Sequence, residues 1–487
     1  MAWYHSVYPG SEPPTQGEKD VYFYDPFGEV AYSYTKAEFL ALSAMPAAPD
    51  LSESKVPLTF TEWNWSLSDA KTYVTANDKL NIGATCVPTD GKTHIFLNIP
   101  LTWKSNIDIR FTATTTATVD WGDGTTETVS GDFSSGHNYN DTGEFHIKID
   151  GNISFTDDRS ILVDTVQKEY LTDIYFSGIT SITNGCFQDL YCLETITLPN
   201  TITSVGNYCF KNCYKLPGIV IPNGVTSIGD NCFQSCYLFK YFILPNNITS
   251  IGSSGLSSCR ILNNIILPNT ITSLGDYCFS GCYALENIKL PSNITSISGG
   301  CFQNCMIHTF TIPSTVTSIG SNAFYGCYAL EHLEIPNGIT TIEGGLFQNC
   351  YALKTVSIPD TVTSIYGTCF SGCYTLESIK LPSNITSLES SIFSNCKSLG
   401  CVEIPNGVSI INSSVFYNCT SLVYVDFSNH SSVPSLGYTN AFPTSSSNFQ
   451  AIIVPDALYD SWRNATRWST TTIRNKIVKA SEYVKPF

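Results

Sequence analysis

Apolar residues fall into register every 23 residues through ten successive units of this chain. In residues 285–305, Leu285, Ile288 and Leu290 mark a short strand, and the last two share one face because side chains two apart point the same way. Pro291 then stops the ladder, having no N–H to donate. Ile294 and Ile297 mark a second extended segment, and the turn from Phe302 to Cys305 leads to the next unit. The prolines recur at 199, 222, 245, 268, 291, 313, 336, 359, 382 and 405; every interval is 23 residues except one of 22, where Met306-Ile307-His308 has lost a position. Each unit carries apolar residues that it cannot bury alone, so the period predicts a stack.

The columns of that stack are strict. Phe stands at 187, 210, 233, 279, 302, 324, 347, 370, 393 and 416, with Leu256 the one substitute. Cys stands at 213, 236, 259, 282, 305, 327, 350, 373, 396 and 419. A second cysteine column four residues upstream gives way to Gly255, Ala323, Leu346, Ile392 and Val415 while the first is kept. Disulfide partners would be lost together, so buried free thiols, which pack as small hydrophobes, are expected. A zinc site is not, because the cysteines form columns and do not converge in pairs.

The unit I-P-x-x-V-T-S-I-G-x-x-x-F-x-x-C-x-x-L, as at Ile221–Leu238 and Ile312–Leu330, resembles the BspA-like leucine-rich repeat, over residues from about 168 to 427. The segment from Ile452 to Trp462, followed by Trp468, resembles the closing segment of the same family, which would shield the last apolar face. The fold class implied is mainly β, with a solenoid over 156–427 and a C-terminal cap over 428–487.

Two other kinds of sequence precede the repeats. Residues 92–155 alternate like a small β-sandwich, with strands at His94–Ile99, Ile107–Phe111, Ala117–Trp121 and Phe145–Ile149. Trp121-Gly-Asp-Gly followed by His137-Asn-Tyr-Asn-Asp-Thr-Gly resembles a PKD-like domain. Asp120, Asp123 and Asp141 are conceivable calcium ligands, but turn chemistry is the plainer account. Residues 1–91 read as a small α+β attachment domain. Two strands flank Pro26-Phe27-Gly28, Thr35 caps a helix starting at Lys36, and Ser66 starts a second one. Tyr32–Leu42 together with Glu62–Leu67 resembles the N-terminal segment of structural proteins from phages and prophages of gut bacteria.

Composition narrows the function. With 41 acidic against 25 basic residues, the net charge of −16 argues against a nucleic-acid partner. No run of 18 apolar residues supports membrane insertion, and Met1–Gly10 shows neither region of a signal peptide. The seven histidines form no column, and no H-E-x-x-H, G-x-S-x-G or P-loop sequence occurs. A non-enzymatic protein without a cofactor is expected.

Two candidate binding surfaces remain. Tyr214, Tyr237, Tyr283, Tyr328, Tyr351 and Tyr374 follow the cysteine column, interrupted by Arg260, Met306, Lys397 and Thr420. Stacked repeats place such residues in a row, where Tyr offers a ring and a hydroxyl to a surface protein or glycan, or else simply covers the edge of the core. Val220, Tyr241, Ile243 and Ile266 form an apolar patch on outward strand positions, read as a partner site or as contact with the preceding domain. Taken together, these features and resemblances predict an adhesion protein. The first expectation is a phage structural or tail-fibre protein in the virion, anchored to virion proteins by its N-terminal domain, as a monomer or a homo-oligomer. The alternatives are a microbial cell-surface BspA-like adhesin and a virion decoration or spacer protein.

Overall fold

The structure is a computed structural model that describes residues 19–100, 105–155, 161–162 and 167–485. The segment Met1–Gly10, considered above for export, and His5 within it lie outside the described residues.

The N-terminal unit is a four-stranded sheet of order β2-β1-β4-β3, built from β1 (Val21–Tyr24), β2 (Val30–Tyr34), β3 (Leu58–Trp63) and β4 (Leu80–Pro88). Helices α1 (Lys36–Ala41) and α2 (Leu67–Ala76) accompany it. Their start points follow from the caps. The Thr35 hydroxyl accepts the Glu38 N–H while the Glu38 carboxylate accepts the Thr35 N–H at 2.7 Å, and Ser66 accepts the Asp69 N–H at 3.1 Å.

In the middle region β5 (Thr93–Ile99), β6 (Ser105–Asp120), β7 (Thr126–Tyr139), β8 (Gly143–Asp150) and β9 (Ile153–Ser154) form an antiparallel array. The two strands expected at 107–111 and 117–121 are one long strand, β6, with an irregularity between Ala113 and Ala117. β7, which periodicity did not reveal, is mostly solvent-exposed and so lacks an apolar stripe. At Trp121-Gly-Asp-Gly, Asp120 and Asp123 accept backbone N–H groups from Gly122 and Thr125, both at 3.0 Å, and Gly122 and Gly124 take positive φ. That is turn chemistry.

The array continues into the solenoid. β5 pairs antiparallel with β10 (Leu171–Tyr175), and β10 pairs parallel with Thr195–Thr197, the first repeat strand, within one seven-stranded sheet. A single apolar core correspondingly runs without a break from Ile95 to Ile477.

The solenoid has three sides. One is a parallel ladder of short strands on one side of the proline column, such as Gly218–Val220 on Tyr241–Ile243 and His332–Glu334 on Thr355–Ser357. The second, beyond the prolines, pairs Val205 with Ile228, Ile228 with Ile251, and Ile251 with Leu274. The third is the Phe–Cys turn, whose phenyl rings stack at 5.5–5.9 Å from Phe279 to Phe416. Local defects are repaired by neighbours. Beside Leu256, Phe233 packs on Phe239 and Phe242, both at 5.2 Å, and at the 22-residue unit Phe310 packs against Phe302 and Phe324 at 5.1 and 5.0 Å. At the C-terminal end, Ala451–Val454 and Ile477–Lys479 extend the first ladder, and the fully buried Trp462 and Trp468, 4.7 Å apart, close the core.

All nineteen cysteines are free. The retained column has a specific role: each thiol donates to the carbonyl of the Phe or Leu in the preceding unit, from Cys213 to Phe187 at 3.3 Å through Cys350 to Phe324 at 3.1 Å to Cys419 to Phe393 at 3.0 Å. The thiol is a second donor to a buried carbonyl that also accepts the N–H of the Cys in its own turn, as Phe324 does from Cys327 at 3.1 Å, and an apolar substitute would forfeit that second bond, which favours keeping this column. Burial pushes these thiols up, Cys282 and Cys327 to about 12, so they stay protonated and unreactive. Titrating the native protein with a thiol reagent should modify the half-buried Cys192 and Cys401 and leave the ladder silent until denaturation. Rapid native reaction of the whole set would show that the column is open to solvent.

Candidate binding surface

Each Phe–Cys turn reverses direction with two left-handed residues per unit. One column includes Asn231, Ser254, Asn322 and Ser391; the other, directly before the retained Cys, includes Asn212, Ser235, Asn304, Asn349 and Asn395. Gly and Asn tolerate that conformation best, which explains their recurrence in the second column, whereas the first also holds Tyr208, Tyr277 and Thr368. The reversal projects the residue after Cys outward, and the 23-residue period stacks these residues into a row.

The row forms two separate stacks. In the first, Tyr191, Tyr214 and Tyr237 lie ring on ring, with centroids at 5.0 and 4.7 Å, and the Arg260 guanidinium sits 4.0 Å over Tyr237. In the second, Tyr328, Tyr351 and Tyr374 follow at 5.0 and 4.7 Å, and the Lys397 ammonium lies 4.5 Å over Tyr374. Tyr283, exposed, stands between the stacks beside Met306. Tyr191 belongs to the row but follows Leu190, not a Cys, so the cysteine column did not reveal it; its register, 23 residues before Tyr214, could have.

Stacking changes what the row offers. The Tyr214–Tyr237 and Tyr351–Tyr374 planes differ by only 7° and 2°, so ring faces meet each other and a cation covers one end face of each stack. Ring edges and hydroxyls are left for a ligand. The hydroxyls of Tyr214, Tyr237, Tyr351 and Tyr374 have no hydrogen-bond partner among the described residues, whereas that of Tyr328 reaches Asn304 at 3.4 Å. Burial, then neighbouring tyrosines, raise the pKa of Tyr214 and Tyr351, so both are hydrogen-bond donors at neutral pH.

The apolar patch is corrected by the structure. Val220 and Ile243 are 6 % and 1 % exposed, and Tyr241 and Ile266 are partly buried, because the N-terminal unit lies on this side of the ladder. Gly83 of β4 presses on Val220 and Ile243, Gly28 on the Tyr241 ring, and Ile266 packs on the N-terminal core. Polar groups clamp the contact. Asn64 donates to the Ile221 carbonyl at 3.1 Å, Trp65 to Leu244 at 2.8 Å and Tyr73 to Leu267 at 3.2 Å. Farther along, Lys55 pairs with the buried Asp173 at 2.5 Å beside a cleft of ≈ 660 Å³. The patch is an intramolecular seam between the first and third regions of the chain.

The fold also joins histidines that lie far apart in sequence. His94 Nδ1 is 2.8 Å from His146 Nε2, and His94 Nε2 is 2.9 Å from Asp90. Burial, then His94, lowers His146 to about 4, and its ring stacks on Phe96 at 4.2 Å. These contacts pin β5 to β8.

The BspA-type leucine-rich-repeat region model matches residues 163–265, 256–377 and 342–469, well over half of the chain. The chain belongs to the BspA-type leucine-rich-repeat family. Such repeat proteins are typically cell-surface adhesion and recognition proteins and generally non-enzymatic. Among solved structures, this BspA-type chain is similar to a leucine-rich repeat protein from Bacteroides ovatus, at 26% identity and TM-score 0.54, over 70% of this chain and 89% of that one. It is also similar to a leucine rich cell surface protein from Faecalibacterium prausnitzii, at 27% identity and TM-score 0.44, over 62% and 87% of the two chains. No curated protein matches it. The expected virion role finds no support in these matches, nor does the PKD-like resemblance of residues 92–155. Among the described residues, no helix is long and apolar enough to cross a membrane.

Proposed function

We propose that this BspA-type protein is a non-enzymatic adhesion protein acting outside the cell, at a cell surface, and that its tyrosine row is the surface that recognises the partner. The observation that carries this reading is the row itself, two aromatic stacks ending in cations and bearing unpaired hydroxyls. Aromatic side chains with few rotatable bonds lose little entropy on binding, and stacking has already ordered these. Both strand ladders present less. The first is covered by the N-terminal unit along residues 218–267. The second exposes mainly Ser and Thr.

The test is flow cytometry of labelled protein on intact gut bacteria and epithelial cells, beside a variant with Tyr328, Tyr351 and Tyr374 changed to Ala. Binding selective for one cell type is expected, weakened about tenfold or more in the variant, since truncating one central aromatic typically costs at least ~1.4 kcal/mol. Undiminished binding by a variant that melts like the parent would remove the row from the function.

A further inference from the structure

The five residues after the conserved Phe, or after Leu256, in the ten turns from Phe210 to Ser421 contain no Asp or Glu, in a chain with 41 acidic residues. They include four cations, Lys211, Lys215, Arg260 and Lys397. Lys215 is paired with Glu194 at 3.0 Å. Arg260 and Lys397, both exposed, make no ion pair among the described residues and lie instead over Tyr237 and Tyr374. From Phe210 to Ser421 this edge of an acidic solenoid is therefore free of acidic residues and carries unneutralised positive charge, while Asp189 stands beside Tyr191 at its start.

The aromatic geometry favours the same sign. An aromatic ring is negative on its faces and positive at its rim. With faces turned toward one another within each stack and the outer faces of Tyr237 and Tyr374 under cations, the stacks show mainly rims and O–H donors outward. Both interact well with negative charge.

Spacing selects the kind of anion. Within the stacks the rings advance 4.7–5.0 Å per unit. An extended sugar chain advances by nearly the same distance per residue, so one sugar would face each repeat. An extended peptide repeats on one face about every 6.6 Å and drifts out of step. Single-stranded nucleic acid needs successive open ring faces in a basic groove, whereas most rings here face one another and the row carries, among the described residues, two free cations on an acidic chain.

We infer that the tyrosine row binds a linear acidic polysaccharide lying along the solenoid axis, with carboxylates meeting Arg260 and Lys397 and sugar hydroxyls meeting the tyrosine hydroxyls. This rests on the row being the recognition surface. The two Tyr-Tyr-Tyr-cation stacks, six repeats apart, are two equivalent subsites on one chain.

The test is isothermal titration of the full chain with hexagalacturonate, cellohexaose and hexaglutamate, repeated with an Arg260→Gln/Lys397→Gln variant whose melting matches the parent. Hexagalacturonate is expected to bind, at least about tenfold more tightly than the other two. Its affinity should fall about tenfold between 50 and 500 mM salt and similarly in the double variant. Equal binding of cellohexaose would overturn the charge argument, and equal binding of hexaglutamate would shift the partner to an acidic peptide. An unchanged double variant would overturn the inference. So would failure of hexagalacturonate, hexamannuronate and a hyaluronan hexasaccharide alike. If the charge variant still binds cells while the tyrosine variant does not, the row remains the recognition surface and only its proposed ligand class is wrong.

Discussion

Phe324→Ala should lower stability by about 3–5 kcal/mol, the usual loss for removing a fully buried phenyl ring from a well-packed core. Phe324 is 0 % exposed and touches Phe302 at 5.7 Å, Phe347 at 5.9 Å and Phe310 at 5.0 Å, so truncation opens a void across two neighbouring repeats. The Cys350 thiol is bonded to the Phe324 carbonyl and loses its support if the turn shifts. In a one-dimensional stack such a defect weakens both interfaces of one unit, so unfolding should begin there and split the solenoid in two. Hydrogen exchange should show lost protection centred on residues 302–347, with a lower Tm. Phe324→Leu should be milder, since Leu256 already occupies the equivalent position. Unchanged melting and exchange in Phe324→Ala would mean that the phenyl column does not hold the stack.

Gly83→Leu should release the N-terminal unit from the solenoid without unfolding it. Any Cβ at Gly83 overlaps the methyl groups of Val220, and a Leu there is accommodated only by separation. Overpacking of this kind typically costs ~1–3 kcal/mol. The Asn64, Trp65 and Tyr73 clamps then open and leave the Trp65 indole, now 3 % exposed, in water. The expected result is red-shifted tryptophan emission and proteolysis between residues 88 and 93, with the solenoid's melting retained. Pairing Gly83→Ala with Val220→Ala should recover part of the loss through coupling across the seam. A Gly83→Leu protein with unaltered fluorescence and protease resistance would show that the two parts are not held together here.

The seam illustrates what could not be read from the chain. Val220, Tyr241, Ile243 and Ile266 stand out as apolar residues on a face that is polar in other repeats, so pattern alone identifies a contact. Its occupant is the N-terminal unit, roughly 140 to 210 residues upstream, and no local periodicity connects Gly83 to Val220. The tyrosine row was similarly visible as a column, whereas the orientation of its rings was not. Sequence places six tyrosines in a line; only packing turns the faces of five of them toward neighbouring rings, with Tyr191 added and Tyr283 left alone between the stacks. The pairing of His94 with His146 depends on the antiparallel register of β5 and β8, which no spacing in the chain encodes.

By itself, the sequence determined the solenoid: the period, the two short strands divided by proline, the Phe column and the unbonded cysteines. The reason is that every repeat solves the same burial problem with contacts only to its immediate neighbours, so local pattern and tertiary structure coincide there. The tertiary structure decided the rest. It ran the middle sheet into the first repeat, folded the N-terminal unit onto the ladder and divided the tyrosines into two stacks ending in cations. Those features depend on contacts between unlike segments far apart in the chain, where hydrophobic attraction is non-directional and shape complementarity alone selects the partner.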